Sequence, residues 1–261
     1  MHKVYFVGCG PGDPELVTVK AKKLIQKADV VVYSGSLIPP EIIKICKKAK
    51  LYDAAKMVRE EIFEVLKDNA LQGKLVVRLH DGDPSIYGAI WEQTDNLKKE
   101  GIGYEVVPGI TSFLASAAAL GCELTLPGVT QTIIVTRAKS RTKVPPRERI
   151  SELAKHKATM IFYLSVHLLS DIVKEAIRGG YSKSTPAAAV YRASWKDEKV
   201  ITGTLDDITK KVRDEKITKT AIIIIGDIVN PGHYEYSRLY DKTFSHGYRK
   251  AKVISETRKL V

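Results

Sequence analysis

The sequence predicts an α/β protein with two domains, and three observations favour this fold class. Short apolar runs of strand length recur along the chain, beginning with residues 4–7. In the first half, stretches with helix-compatible spacing separate these runs, which is the pattern of a mainly parallel sheet covered by helices. Residues 121–128 contain two glycines and a proline near the middle of the chain, and this composition suits an interdomain hinge.

The first half is predicted to alternate strands with helices. Strands are expected at residues 4–7, 29–33, 74–79 and 104–107, where β-branched and aromatic side chains dominate. The first helix is expected at 15–28, because Leu16, Val19 and Leu24 share helical spacing. Further helices are expected at 39–47, 60–69, 86–99 and 111–120.

The second half continues the alternation after a polar, proline-containing loop at 137–146. Strands are expected at 131–136, 159–164, 186–191, 199–201 and 221–225, and helices at 148–156, 168–178 and 206–214. The last residues, 230–261, are polar and basic with scattered Tyr and His, and we expect a surface extension of unknown role. The expected domains are therefore 1–122 and 126–229, followed by this extension.

Composition narrows the class of protein. The chain has 261 residues, of which 44% are hydrophobic, so a sizeable core is expected. Its longest apolar run, 221–225, is far too short to span a bilayer and has the length of a buried strand. We expect a cytoplasmic protein without a membrane contact, because the N-terminus shows no signal-peptide pattern.

Cysteine content and charge limit the possible partners. Cys9, Cys46 and Cys122 are odd in number and far apart, so buried inert thiols are expected, without a disulfide or a protein-bound metal. The formal net charge of +12 attracts polyanions, although a lysine-rich solubility surface has the same effect. No arginine-rich arm or aromatic-studded basic stripe is present, which argues against a nucleic-acid partner.

A glycine-rich loop follows the first strand. Gly8 and Gly10 resemble the start of a dinucleotide-binding loop, but Asp13 stands where that loop needs its third glycine. Two prolines also remove N–H donors that a pyrophosphate would need. A dinucleotide site is therefore disfavoured. A tight strand-to-helix turn would account for Gly8 and Gly10 but not for the whole sequence Gly-Pro-Gly-Asp-Pro that ends this loop.

Two further loops follow predicted strands. Residues 81–88 contain Gly82, which lets a ligand approach the backbone, and Asp83, whose carboxylate suits a cationic or hydroxyl-bearing ligand. Residues 107–112 end in Thr111 and Ser112, which can cap the next helix or face a ligand at the strand end. Because the carboxyl ends of parallel strands form the usual binding edge, all three loops are candidate ligand contacts.

Taken together, these loops resemble the tetrapyrrole methylase family. The strings are Val-Gly-Cys-Gly-Pro-Gly-Asp-Pro at 7–14, Gly-Asp-Pro-Ser-Ile-Tyr-Gly at 82–88 and Val-Pro-Gly-Ile-Thr-Ser at 107–112, joined by Thr-Met-Ile-Phe-Tyr-Leu at 159–164 and Thr-Gly-Thr-Leu at 202–205. Each motif is weak alone, but the ordered set covers residues 3–229. The string Thr-Arg-Ala-Lys-Ser-Arg-Thr-Lys-Val-Pro at 136–145 is similar to the branch that methylates C-11 of cobalt-precorrin-4 or precorrin-4.

The resemblance implies two α/β domains with a methyl donor, S-adenosylmethionine, in the cleft between them, and a homodimer. Carried over by position, the donor contacts are Pro11, Asp81, Gly82, Asp83, Ile86, Thr111, Ser112, Leu164, Ala193 and Thr220. The expected partner is a polycarboxylate tetrapyrrole, with or without bound cobalt, and basic side chains can hold its carboxylates. Candidates for binding this ring are Arg59, Tyr87, Arg137, Arg141 and Arg192.

No catalytic residue is predicted. A methyl sulfonium needs placement in line with the attacking carbon more than acid–base help. His80, His156 and His167 show no partner spacing that would make a base, so structural roles are expected. The alternatives are a nucleic-acid-binding module suggested by charge, a protein-modifying methylase of the same fold, and a sister enzyme acting at another ring carbon.

Overall fold

The computed structural model describes residues 2–140 and 142–251, and only the backbone of Ser36. Two five-stranded sheets with helices form the described chain. This arrangement confirms the predicted α/β class.

The first sheet is entirely parallel. Its strands are β1 (Lys3–Gly8), β2 (Val30–Tyr33), β3 (Lys50–Asp53), β4 (Val76–His80) and β5 (Gly103–Val107), in the order β3-β2-β4-β1-β5. The parallel sheet was predicted, but β3 was not. This strand lies at the sheet edge, and its four residues are exposed or only half-buried, so it lacks the apolar run of a central strand.

Helices cover both faces of the first sheet. They are α1 (Val19–Lys27), α2 (Pro40–Ile43), α3 (Arg59–Leu71) and α4 (Ile90–Lys99). On one face, Ile25 of α1 and Ile42 of α2 pack against Leu79. On the other face, Leu66 of α3 and Leu97 of α4 pack against Phe6. The carboxyl ends of the strands are left uncovered at one edge, and the three predicted loops lie there.

The second sheet is mostly antiparallel. Its strands are β6 (Ile133–Arg137), β7 (Thr159–Tyr163), β8 (Pro186–Tyr191), β9 (Lys199–Thr204) and β10 (Ala221–Ile225), in the order β6-β7-β10-β8-β9, with only β6 and β7 parallel. Its own helices α6 (Ile150–Leu153), α7 (Leu169–Arg178) and α8 (Ile208–Asp214) lie at one face, where residues such as Phe162, Ile172, Ile208 and Ile223 form a core.

The remaining helix, α5 (Ser112–Leu120), joins the two halves. It follows β5 of the first sheet, yet its Ala117 lies in a buried cluster with Ile222 and Ile224 of the second sheet. Small side chains along α5 allow this close approach. The face of the second sheet that its own helices leave open is therefore covered by a helix from the first half.

Several predicted boundaries are wrong for local reasons. The helix expected at 15–28 is interrupted, because the backbone is extended at Thr18, whose hydroxyl accepts the N–H of Ala21 and starts α1. The helix expected at 86–99 begins only at Ile90, since Tyr87 and Ala89 adopt positive φ angles of 56° and 49°.

Two other helices are shorter than expected, and one strand is longer. The regular turns of α2 end at residue 43, and α6 covers only 150–153 with 3-10 turns on either side. The strand expected at 199–201 extends to residue 204.

The segment that follows β10 is largely exposed up to residue 251. It contacts residues 121–128, which were expected to form a hinge, where the N–H of Glu235 donates to the carbonyl of Pro127. Residues 252–261 lie outside the described chain. In the described residues, no helix combines the length and apolar character that crossing a membrane requires.

Candidate functional site: a cleft between the two sheets

Three loops meet at the carboxyl edge of the first sheet. Gly10 and Gly82 exchange backbone hydrogen bonds of 3.2 and 2.8 Å, which tie the first loop to the second. The third loop lies so close that a Cβ on Gly8 would come within 2.5 Å of the carbonyl oxygen of Gly82, and one on Gly109 would come closer still. Glycine is required at 8 and 109 because the three backbones pack directly on one another.

The carboxylate of Asp83 fastens this arrangement. One of its oxygens accepts the N–H of Gly109 at 2.9 Å, and the other accepts the N–H of Ser85 at 2.8 Å. Each of its two oxygens thus accepts a backbone N–H group of the loops. Asp83 holds the second and third loops together, whereas the sequence suggested a direct ligand contact.

A cavity of about 300 Å³ opens beside these loops, between the two sheets. A volume of this size is typical of small-molecule sites. The cavity brings together six of the ten predicted donor contacts, which are Pro11, Asp81, Ser112, Leu164, Ala193 and Thr220.

The other four predicted contacts lie behind the cavity wall. Gly82 and Asp83 connect the loops, and Ile86 packs against the apolar cluster between α5 and the second sheet. Thr111 forms a short hydrogen bond with the hydroxyl of Tyr163, which also accepts the N–H of Phe113 at 3.2 Å. Because β7 ends at Tyr163, this bond fixes the third loop to the second sheet.

Trp195 closes one end of the cleft. Its indole N–H donates to the carbonyl oxygen of Pro11 at 2.8 Å, and its ring lies against Gly12, where any Cβ would overlap it. The neighbouring hydroxyl of Ser194 accepts the N–H of Asp13 at 3.0 Å. The loop after β8 thus binds directly to the glycine loop after β1.

The backbone is strained along the far wall of the cavity. Leu164, Arg192 and Thr220 line it with φ angles of 53°, 46° and 57°, in the left-handed region that L-residues other than glycine rarely adopt. Such conformations cost about 1–3 kcal/mol each and tend to gather at functional sites. The strain supports a ligand-binding role for this wall.

The charged groups at the end of β4 are desolvated. Burial raises the pKa of Asp81, and a backbone hydrogen bond together with the nearby cation of Arg78 only partly offsets this effect. Burial lowers the pKa of Arg78 to about 10. Burial together with that cation lowers the pKa of His80 to about 3, so its imidazole is neutral at physiological pH. His80 therefore cannot supply a cation here, in agreement with the structural role predicted for it.

The other histidines and the cysteines agree only in part with expectation. His167 lines the cavity, although the sequence predicted a structural role, whereas His156 is exposed outside it. The three cysteines are free, with Cys9 and Cys46 buried and Cys122 half-buried. Burial raises the pKa of the Cys9 thiol and keeps it protonated.

The residues predicted to bind the ring lie in different parts of the structure. Arg192 lies in the cavity wall, where it forms a 2.6 Å ion pair with Asp197 and stacks over Trp195. Arg59 is exposed and paired with two glutamates on α3 and α4, away from the cavity. Arg141 lies outside the described residues.

A second cavity, of about 430 Å³, lies beside Arg137 under the basic loop that follows β6. The guanidinium of Arg137 donates to the carbonyls of Thr142 and Lys143 at 3.3 and 3.2 Å, so it shapes the loop. Tyr87 is within electrostatic reach of Arg137 and stacks at a tilt on Tyr163, with 5.4 Å between ring centroids. Tyr87 is thus next to one residue of each cavity, Tyr163 of the first and Arg137 of the second.

Sequence reasoning missed several residues of the cavity. Tyr163, Ser116, Trp195 and Lys219 line it, and of these only Tyr163 lies within a string that carries the family resemblance. They come from four different elements, and only the tertiary fold brings them to one place. The signal available for Trp195 was a large aromatic residue in a polar loop after a strand.

Comparison with known proteins shows to which family the chain belongs. The model of the family described as tetrapyrrole (corrin/porphyrin) methylases matches residues 3–209. The chain belongs to this family. The match includes all three loops of the first sheet and most of the second half.

Individual members of the methylase family are similar over nearly the whole chain. A cobalt-precorrin-4 C(11)-methyltransferase of Methanocaldococcus jannaschii is 54% identical over 96% of this chain and 97% of its own length. The crystal structure of a cobalt-precorrin-4 methyltransferase, a cobalamin biosynthetic enzyme, has a TM-score of 0.86 and 46% identity over 88% of this chain and 97% of that one. A uroporphyrin-III C-methyltransferase of Thermus thermophilus, solved with S-adenosylhomocysteine, has a TM-score of 0.73 and 31% identity over 87% of this chain and 93% of that one.

Proposed function

We propose that this protein transfers a methyl group from S-adenosylmethionine to C-11 of cobalt-precorrin-4 or precorrin-4. The single observation that carries the proposal is the 54% identity, over 96% of the chain, to a relative named for that reaction. The similar structure solved with S-adenosylhomocysteine supports the choice of donor. The protein would then act in the synthesis of a corrin, in the cytoplasm and as a homodimer.

The residues around the first cavity fit such a donor. Apolar groups from Pro11, Leu164 and Ala193 can exclude water from it, while Asp81 and Arg192 offer charges of opposite sign to a ligand that carries both. We assign direct contact to the six predicted residues that line the cavity. Gly82, Asp83, Ile86 and Thr111 would support that wall from behind.

The donor supplies an activated methyl on a sulfonium, so the protein's task is placement and desolvation rather than proton transfer. Ser112 and Leu164 would hold the donor from two sides, because these residues come from different halves of the chain. The hydrogen bond between Trp195 and Pro11 would keep the halves at a fixed separation. No proton acceptor is assigned.

The ring would be held beside the donor by the basic loop. Tyr87 can steer the ring, while Arg137, Lys139 and Arg149 line the second cavity and can meet its carboxylates. Arg141 falls between Lys139 and Arg149 in the sequence, and we propose it as a further residue that binds the ring. Regiochemistry would follow from the rotational pose that these groups select, because the ring carbons share similar chemistry. The proposed domains are 1–122 and 126–229, with 230–261 as an extension.

The test is a product analysis. The purified protein is incubated with donor labelled with carbon-13 in the methyl group and with cobalt-precorrin-4 or precorrin-4, and the product is examined by NMR. We expect one new methyl signal at C-11. A signal at another ring carbon would replace the assignment with that of a sister enzyme, and transfer to a protein without transfer to the ring would refute the tetrapyrrole substrate.

A further inference from the structure

The two walls of the first cavity differ in charge. Among the described residues that line it, Asp81 is the only acidic one, and it stands at the end of β4 on the side of the first sheet. The basic residues Arg192 and Lys219 come from the second half of the chain. Negative charge is thus supplied to the first cavity only from the side of the first sheet.

The two aspartates that flank Gly82 have different surroundings. Asp83 accepts two backbone N–H groups and is committed to the loops. Asp81 takes part in none of the ion pairs formed by the described residues. The carboxylate of Asp81 thus lines the cavity without a counter-ion from the described residues, whereas that of Asp83 binds backbone N–H groups outside the cavity lining.

Burial makes the ionised form of Asp81 unfavourable unless a cation lies close to it. Burial has the largest effect on its pKa and raises it, while a backbone hydrogen bond and, to a smaller extent, the cation of Arg78 lower it. The guanidinium of Arg78 is directed elsewhere, to the carbonyl of Val32 at 3.2 Å and to the side chain of Gln93 at 3.3 Å. A desolvated carboxylate without a counter-ion is costly, and a bound cation in the cavity would remove much of that cost.

We propose that Asp81 is the counter-charge for the sulfonium of the methyl donor and makes the cavity discriminate between the donor and its demethylated product. This inference rests on the proposed function. In the transfer, the electron pair of the ring carbon forms the new carbon–carbon bond, while the pair of the breaking sulfur–methyl bond stays on sulfur. The sulfonium becomes a neutral thioether, so the attraction to Asp81 ends when the product forms.

This arrangement gives the carboxylate a role in release rather than in the chemical step. Its attraction is greatest for the full cation and weaker for a transition state in which the charge is leaving sulfur, so it lowers the free energy of the bound donor more than that of the transition state. Removing the charge should therefore raise the KM for the donor without lowering kcat.

The experiment compares two ligands that differ by one methyl group and one charge. Calorimetry measures the Kd of S-adenosylmethionine and of S-adenosylhomocysteine for the wild type, Asp81→Asn and Asp81→Ser. Both ligands share an amino group and a carboxylate, so those groups cancel in the ratio of the two Kd values. Asp95→Asn removes a charge from an exposed pair with Lys99 on α4 and is the control for net charge.

We expect both Asp81 variants to weaken donor binding about tenfold more than product binding, the scale of one close charge pair in a partly screened site. Asp95→Asn should leave the ratio unchanged. An equal loss for both ligands would mean that Asp81 pairs with the shared amino group, and no loss would mean that it faces neither; each result overturns the inference. If the wild type binds neither ligand, the proposed function itself fails.

Discussion

Trp195 donates its indole N–H to the carbonyl oxygen of Pro11 across the cleft, at 2.8 Å. This bond joins the loop after β8 to the loop after β1, and therefore the second sheet to the first. The hydrogen bond from Asp13 to Ser194 and the ion pair between Lys196 and Glu41 also join the two halves. The separation of the two walls of the cavity depends on this contact.

Replacing Trp195 with Phe should loosen the cleft. The variant keeps most of the ring but loses the hydrogen bond, which contributes about 0.5–1.5 kcal/mol. We expect a free energy of unfolding lower by that amount, together with weaker donor binding, measured by denaturant titration and calorimetry. Trp91→Phe is the matched control, because Trp91 is 82% exposed on α4. Equal effects in both variants would remove the special role of Trp195.

Gly8 should not tolerate a side chain. An added Cβ would meet the carbonyl oxygen of Gly82 at 2.5 Å and the backbone of Gly109 at 2.7 Å, so the loops would have to move apart. Overpacking of this kind costs about 1–3 kcal/mol. Gly8→Ala should therefore lower the free energy of unfolding in denaturant titration by that amount. Gly232→Ala, which meets open space, should change it little, and a Gly8→Ala protein as stable as this control would contradict the packing of the three loops.

Substitution of Gly82 tests the donor site, and the same substitution at Gly101 controls for the backbone strain that a side chain causes. Gly82 and Gly101 both adopt left-handed φ angles, of 57° and 68°, but a Cβ at 82 would lie 3.6 Å from Ser112 in the cavity wall, whereas one at 101 would meet nothing. Leucine should destabilise both sites through backbone strain. Only Gly82→Leu should abolish donor binding in calorimetry. Wild-type affinity in that variant would show that the second loop does not border the donor.

The stability of the ligand-free protein should depend on Asp81 and pH. Burial raises the pKa of this carboxyl above that in the unfolded chain, which is about 3.9. The folded state then holds the proton more tightly, so stability falls as pH rises from the unfolded pKa through the folded one. Asp81→Asn should melt at a higher temperature than the wild type at pH 7, and this difference should vanish at acid pH below the unfolded pKa. A variant less stable than the wild type at pH 7 would refute this expectation.

Arg137→Ala should affect the ring more than the donor. The guanidinium holds the carbonyls of Thr142 and Lys143, so its loss releases the basic loop and removes one positive charge beside the second cavity. We expect the KM for the tetrapyrrole to rise about tenfold, as for the loss of one charge-assisted contact, and the KM for the donor to change little. Arg147→Ala, in the same loop but 88% exposed, is the control. If the two variants behave alike in steady-state kinetics, the ring binds elsewhere.

The sequence predicted the parallel sheet and its loops because their determinants are local. Buried strands are apolar throughout, and the glycine strings stand immediately after them. The edge strand β3 lacks that apolar run and was missed. The irregular turn at Tyr87 and Ala89 was also missed, since neither residue type favours a positive φ.

The site was less predictable than the fold. Position-by-position resemblance led to six residues of the cavity wall, but it could not separate Asp81, which faces the cavity, from Asp83, which ties two loops together. That difference depends on which N–H groups the fold brings near each carboxylate. Trp195 lies more than 180 positions from Pro11 along the chain, and no sequence pattern indicates a contact over that separation.

The left-handed residues of the cavity wall restrict how the sequence can vary there. Leu164, Arg192 and Thr220 hold conformations that glycine, asparagine and aspartate adopt more readily. Natural substitutions at these positions should therefore favour those three small residues, whatever chemistry the ligand requires. In a directed search for new donor analogues, glycine at 164 would widen the wall and relieve its backbone in one step, which makes this position a favourable starting point for changing the enzyme's donor.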